Sequence, residues 1–384
     1  MIFPHACVVP IRAHMTHADT SESALDRTIH PMIKYLGSKR KLVPTISALV
    51  GALPEISSAA DLFTGTTRVA QALKHIGLHV VANDMATYAH EFAKTYVAAN
   101  RDEIDHERIA QMLDELAEIE GSSGYITQTF SEEARYFQLE NAMRIDAIRA
   151  AIDAIAPSDP EHAILLTSLI EAADRVDSTA GVQMAYLKQW AQRSSNPLEL
   201  RMPDLVSGSG EAVQSDAVSL AGELDGIDLA YLDPPYNQHS YLGNYHVWET
   251  IARGDQPEHY GVAAKRIDTR TSRSDFNSSR KAPEAFANLL NALRTPWILV
   301  SFNNEGFLDR ETIIEMLQHV RPHVMVLPVN SYPRYVGARI GIHDRHGRKV
   351  GEPGHLTNTE YLFLAGPRLD HAETAMAAAS RVIS

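Results

Sequence analysis

The chain has 384 residues, of which 45% are hydrophobic and 22% charged, and its formal net charge is −13. That is enough apolar material for one large core, or one core with a smaller satellite, and no run approaches the ~18 apolar residues of a membrane helix. Cys7 is the single cysteine, which excludes disulfides within the chain, a multi-cysteine zinc site, and any reaction that needs a cysteine nucleophile inside the fold.

Residues 1–31 are polar, carry four histidines and show no sustained periodicity, so a flexible tail is expected. The short apolar patch is broken by Pro4, His5 and Pro10 and does not read as a signal peptide. Met32 reads as a natural start. The expectation is a soluble, cytoplasmic protein with no membrane association.

From about 57 to 100 the pattern is strand, glycine turn, helix, strand, helix. Ala59 to Phe63 is a short apolar run ending at Thr64-Gly65; Val69, Ala70, Leu73 and Ile76 then recur at helical spacing, and Leu78 to Ala82 forms a second strand that stops at Asn83-Asp84. Strands alternating with helices predict an α/β fold with a parallel, doubly wound sheet. Residues 103–193 differ: Ile145, Ile148, Ile152 and Ile155 repeat with a helical period and β-rich runs are missing. Strand signals return at Ile227–Leu232, Trp297–Phe302, Val324–Leu327 and Tyr361–Leu364, while 330–360 suits a β-hairpin or a long functional loop. The predicted organisation is a discontinuous catalytic domain (32–102 and 216–366), a helical insertion (103–215) and a C-terminal tail (367–384).

Two segments carry chemistry. In Asp61-Leu62-Phe63-Thr64-Gly65 a strand ends in a glycine turn that opens a helix, a geometry that offers backbone N–H groups to a ligand. Asp84 follows Gly65 by 19 residues at the end of the next strand, where an acid can accept from both ribose hydroxyls of a nucleoside. An ordinary strand–helix turn with a chance aspartate fits the same pair. The second segment is Asp233-Pro234-Pro235-Tyr236, which ends an apolar strand abruptly. The prolines fix φ and remove two donors. The Asp233 carboxylate and the Pro234 carbonyl can then hold both N–H groups of an exocyclic amine, leaving its lone pair in line with an electrophilic methyl group, while Tyr236 can stack on the base once it has left the duplex.

The negative total charge is awkward for a nucleic-acid binder, but distribution matters more. Two stretches are locally basic: 264–281, which includes Arg270 and Arg273, and 334–349, which includes Arg334 and Arg339. Each is either a phosphate-contacting patch or a solvated loop.

Taken with Lys34-Tyr35-Leu36-Gly37-Ser38-Lys39, these motifs resemble the Dam-like (D12 class) N6-adenine DNA methyltransferases over roughly 32–366. The order of motifs looks like the alpha arrangement, in which the target-recognition region separates the cofactor half from the catalytic half. The resemblance implies a Rossmann-like methyltransferase sheet, S-adenosyl-L-methionine as cofactor, double-stranded DNA as substrate, a cognate restriction endonuclease as companion, and no metal. It implies that Tyr35 and Lys39 contact the methionine portion of the cofactor. It places Asp61, Phe63 and Gly65 at the cofactor turn, Asp84 at the ribose, and Asp233 where cofactor and target amine meet. Asp216 resembles the acidic position that holds the cofactor adenine's amino group, and an exposed loop aspartate is an equal reading. Arg175 and Lys188 are candidates for DNA contact or plain scaffold. Tyr245-His246 and Trp248-Glu249 either line the pocket or cap a helix. Family members usually carry a second glycine where this chain has Thr67, which puts the cofactor pose in question. Cytosine N4, an RNA base, and a catalytically silent DNA-recognition module are the alternatives.

Overall fold

The computed structural model describes residues 33–333 apart from Leu36, His239 and Arg273, together with 342–343, 349–351 and 357–383. The expected tail 1–31 and the candidate residues Arg273, Arg334 and Arg339 lie outside the described residues.

In chain order, helix α1 (Val43–Gly51) has a proline in its first turn, where the missing N–H would have had no helical partner. Strand β1 (Ser58–Asp61) leads to α2 (Arg68–His75), β2 (His79–Asn83) and α3 (Thr87–Ala93). Helices α4 (His106–Ala117), α5 (Leu139–Ile155) and α6 (Glu161–Val176) follow, with Asp105 capping α4 by accepting from Arg108 N. Next come β3 (Gly210–Val213), α7 (Ala217–Glu223), β4 (Leu229–Leu232) and α8 (His246–Arg253). A small hairpin, β5 (His259–Tyr260) and β6 (Lys265–Arg266), precedes α9 (Ala282–Ala292), β7 (Trp297–Asn303), α10 (Arg310–Val320) and β8 (His323–Pro333). The chain closes with β9 (Ile342–His343), β10 (Lys349–Gly351), β11 (Thr357–Gly366) and α11 (Leu369–Ile383).

Seven strands form one sheet in the order β3-β2-β1-β4-β7-β11-β8. The pairs from β3 to β7 are parallel, and β11 alone runs against its neighbours β7 and β8. This is a mixed α/β, Rossmann-like architecture with a mainly parallel sheet. Its central strands β1, β4 and β7 are buried on both faces, which is why they read as continuous apolar runs rather than as alternations. Ala59, Leu229, Tyr231, Leu299 and Leu364 pack toward α1, α2 and α11. Ala60, Ala230, Leu232, Val300 and Phe363 pack toward α7, α9 and α10. The period of two along each strand divides the core into these two layers.

The helices between β2 and β3 have a core of their own, but it takes in Tyr88 and Phe92 of α3 and Val247, Trp248 and Ile251 of α8. The insertion therefore shares side chains with the elements that border the cleft described below. The small antiparallel pair β9–β10 fits the hairpin expected between 330 and 360.

Two boundaries differ from the sequence reading. Residues 210–213, assigned above to the insertion, pair in parallel with β2 as the sheet's edge strand. Gly-Glu-Ala-Val is short, polar and half-exposed, so it carries no strand pattern. The expected tail 367–384 instead contains α11, whose Ala372, Ala375, Met376 and Ala379 are buried. Their spacing is helical, but three of the four are alanines and their small apolar side chains give the stripe little contrast.

Candidate active site

After β1 the chain moves outward through β2 to β3 and then returns to place β4 on the other side of β1. The carboxyl ends of β1 and β4 flank this reversal of strand order, the place where open α/β sheets leave a crevice. A cleft of about 650 Å³ opens there, lined by Tyr35, Lys39, Asp61, Phe63, Gly65, Asp84, Asp216, Asp233 and Pro235. Nearly all the site residues predicted for cofactor and chemistry thus meet in one cavity.

The turn after β1 is shaped by backbone hydrogen bonds. Thr64 N donates to Asn83 O at 2.9 Å, and Leu62 N donates to Tyr231 O at 3.2 Å. Gly65 has φ +50°, and a Cβ placed on it would lie 3.0 Å from the Tyr35 hydroxyl oxygen. Gly65 is therefore required twice, by its left-handed backbone and by the ring above it. Asp84 accepts from Gly65 N and from Ala86 N, each at 3.0 Å, which couples the ends of β1 and β2. Burial raises its pKa, and these backbone donors restrain the rise.

Thr67 is completely buried and left-handed, at φ 58° and ψ 12°, and its Oγ1 accepts from Gln71 Nε2 at 2.8 Å. The second glycine of the family pattern falls at a position that glycine would occupy without strain. Here threonine holds the same backbone conformation and anchors it by a side-chain hydrogen bond.

Tyr35 stacks on Tyr245 (centroids 4.6 Å apart, 16° between planes) and on Tyr241 (5.5 Å, 19°). Tyr245 therefore packs on Tyr35 at the cleft wall, and Glu249 lines the cleft while accepting from Tyr88 N at 3.2 Å. His246 and Trp248 are buried, away from the cleft lining. Phe63 meets Phe276 edge-on at 5.3 Å. Asp216 is exposed, borders the cleft and caps α7, accepting from Val218 N at 3.0 Å and Ser219 N at 3.1 Å.

At the other end of the cleft, Lys39 Nζ lies 3.2 Å from Asp233 Oδ1 and also pairs with Glu360. Ser301 Oγ donates to Glu360 Oε1 at 2.9 Å. Burial opposes the Lys39 charge, but Asp233 and Glu360 overcome it and hold the ammonium well above its ordinary pKa. Burial pushes Asp233 up to about 6 against the pull of Lys39, with Glu360 adding to the rise. Lys39, expected against the cofactor's methionine portion, is thus engaged with Asp233 and Glu360. Pro234 is buried beside it, and the Tyr236 ring sits edge-on to Phe302 at 5.6 Å.

Asp61 has no cationic partner among the described residues. Burial, and then the charge of Asp233, raises it to about 8, while the Phe63 N–H lowers it. At neutral pH it is mainly the uncharged acid. A carboxyl with a folded pKa above its unfolded value binds its proton more tightly when folded. Its contribution is complete below 3.8 and is lost as the pH rises through about 8. Urea melts should show stability falling between about pH 4 and about pH 8, and Asp61→Asn should flatten that fall. An identical slope in the variant would assign the loss to other groups.

Among the described basic candidates, Arg175, Lys188 and Arg270 do not line the cleft. Arg175 donates to Glu199 O at 2.7 Å and lies beside Lys34, Arg193 and Arg201 around a separate cavity. Lys188 is exposed. Arg270 is exposed and stacks 3.9 Å from the Tyr260 ring centroid.

Sequence reasoning missed Tyr241 and Phe276; the strands that carry Ser301 and Glu360 resemble the family's pocket-closing and last strands, but neither side chain was assigned a role. For Glu360 a signal existed: it is an acid at the mouth of the apolar strand Tyr361–Leu364. The two aromatic residues gave none, because their partners are distant in sequence.

The cleft fits the cofactor that the resemblance implies. Its volume lies in the range of small-molecule sites, and it offers a glycine cradle, a carboxylate at each strand end and aromatic walls. Among the described residues no helix is long and apolar enough to cross a membrane.

Comparison with known proteins gives one family match. The model of the D12 class N6 adenine-specific DNA methyltransferases matches residues 35–299. The chain is 31% identical over 303 residues to the modification methylase StsI of Streptococcus sanguinis, covering 74% of this chain and 46% of that protein. It is 31% identical over 323 residues to the type II methyltransferase M.FokI of Planomicrobium okeanokoites (79% and 50%). Against the type II methyltransferase M.NlaIII of Neisseria lactamica it is 30% identical over 308 residues (77% and 90%). The chain therefore spans about half the length of the first two relatives and nearly all of the third.

Proposed function

Because this chain belongs to the D12 class N6 adenine-specific DNA methyltransferase family, we propose that it transfers a methyl group from S-adenosyl-L-methionine to the N6 amino group of adenine in duplex DNA. The observation that carries the proposal is that Asp233-Pro234-Pro235-Tyr236 follows the end of β4 and that its Asp233 and Pro235 line one cleft with Gly65 and Asp84. When bound, the cofactor supplies an electrophilic sulfonium methyl group, and no side chain has to become covalently attached.

In this reading Asp84 holds the ribose hydroxyls, Gly65 offers its close backbone approach, Phe63 and Asp216 border the adenine, and Tyr35 walls the cleft. Asp233 and the Pro234 carbonyl accept the two N–H bonds of the target amine, which orients its lone pair. As the new bond to nitrogen forms, one N6 proton is released, and Asp233 is the base beside it. Tyr236 supports the ring of an adenine turned out of the duplex. The helical insertion from 103 to the start of β3 recognises the target.

Transfer of labelled methyl to unmethylated duplex DNA, followed by nucleoside analysis, tests this. N6-methyl-2′-deoxyadenosine is expected. Label on cytosine N4 would reassign the base, and cofactor binding without any transfer would make the chain a silent recognition module. A companion restriction endonuclease belongs to the same reading, since the relatives are named as type II and modification methylases.

Lys188 and Arg270, together with Arg273, Arg334 and Arg339, are proposed to contact DNA phosphates. Removing the charges of Arg270 and Arg273 should weaken DNA binding and reduce the slope of log K against log salt by about 1 to 2. An unchanged slope would make that stretch a solvated loop.

A further inference from the structure

We propose that Glu360 is a positioning residue for methyl transfer, holding the Lys39 ammonium so that Asp233 remains a strong acceptor for the target amine; this rests on the function proposed above.

The cluster contains two carboxylates and one cation. Lys39 is 6% exposed, Glu360 2% and Asp233 19%. Asp233 is the most accessible of the three, and Glu360 is the most deeply buried. Lys39 and Asp233 line the cleft, whereas Glu360 is absent from its lining, so Glu360 acts through them. Glu360 is itself fixed. It sits opposite Asn303 in the antiparallel register of β7 and β11, and Ser301 Oγ donates to it at 2.9 Å. Both strands are core strands, so its carboxylate has little freedom to move.

This arrangement does two things that a simple Lys–Asp pair would not. It divides the ammonium between two acceptors, leaving the cluster with a net charge of −1 and Asp233 only partly neutralised. It also sets a second negative charge near Asp233, which makes that carboxylate more basic. A more basic carboxylate accepts an N–H bond more strongly and is better placed to receive the proton that the amine loses. Without Glu360, Lys39 would have Asp233 as its sole acidic partner and would neutralise it.

Glu360→Gln keeps the side chain's shape and an oxygen for Ser301 while removing the charge. In the full chain, kcat should fall at least about tenfold, while the cofactor Kd and the KM for DNA change less than about threefold. The acid limb of the kcat–pH profile should move to lower pH, because loss of a neighbouring negative charge makes Asp233 easier to ionise. A carboxyl carbon-13 titration of the cofactor-free protein should show the same downward movement for Asp233. A parent-like rate with an unmoved limb would overturn the proposal. So would loss of cofactor binding together with a broadened melting transition, which would make Glu360 scaffold. If Glu360→Gln does not fold, Ser301→Ala serves instead. It releases the carboxylate without discharging it, so a lower kcat with an unmoved limb is expected, and an unchanged kcat overturns the idea. Failure of the parent protein to methylate DNA would count against the functional reading instead, and the Asp233 titration would still report on Glu360.

Discussion

Asp233→Ala is expected to lower methyl transfer by at least about 1,000-fold while the protein still folds and binds cofactor. The reason lies in what surrounds the carboxylate. Breaking a buried ion pair ordinarily leaves a stranded charge and costs about 3–5 kcal/mol. Here Lys39 keeps Glu360 as a partner when Asp233 is removed. The loss should therefore appear in kcat and not in the melting temperature. Asp233→Asn should retain a small residual rate, since its amide oxygen can still accept one N–H bond. The parent enzyme adds a pH signature. With Asp233 raised to about 6, kcat should fall with protonation of the acceptor below that pH, by about tenfold per unit well below it. A near-normal rate in the alanine variant would show that the reaction does not run through this carboxylate.

Gly65→Val is expected to weaken cofactor binding at least about 30-fold, with a smaller effect on the turnover of saturated enzyme. Two independent penalties meet at this residue. A left-handed backbone costs a non-glycine residue about 1–2 kcal/mol, and a β-branched one more. The added Cβ would also lie 3.0 Å from the Tyr35 hydroxyl and 3.2 Å from Cε1 of the same ring. Relief requires Tyr35 to leave its stack on Tyr245 or the turn to flatten. If the turn flattens, Gly65 N moves away from Asp84 and the ribose position is lost with it. Isothermal titration with S-adenosylmethionine measures the effect directly. Gly65→Ala should fall between parent and valine variant, and equal affinities in all three would show that the cradle does not hold the cofactor.

Much of this site was legible because its parts lie at strand ends, where local sequence speaks clearly. Asp61 to Gly65, Asp84 and Asp233 to Tyr236 each end an apolar run, and the sheet brings Asp61 to Gly65, Asp84, Asp233 and Pro235 into one cleft. The pairing of Lys39 with Asp233 was not legible. A lysine in a glycine-containing loop has no periodicity, and its partners come from β4 and β11. Thr67 read as a departure from the pattern, yet its left-handed backbone shows that the requirement was one of conformation, which a buried threonine meets with help from Gln71. Arg175 illustrates the opposite case. It was read as either a DNA contact or plain scaffold, and its bond to the Glu199 carbonyl depends on the fold, which local sequence does not show. The alanine-rich C-terminal helix was overlooked for a third reason, because small side chains bury well while contributing little contrast to a hydropathy pattern.

The bond between Lys39 and Glu360 joins residues 321 positions apart. Closing so large a loop is entropically costly and must be supported by contacts already made. The ion cluster is therefore one of the least local features of the molecule. A growing chain acquires Lys39 early, Asp233 midway and Glu360 near the end of β-sheet synthesis. During that interval β11 cannot insert between β7 and β8, and Asp233 lacks its full electrostatic setting. Assembly of the ion cluster is thus tied to completion of the sheet, and a chain that halts within the insertion carries neither carboxylate of the cluster.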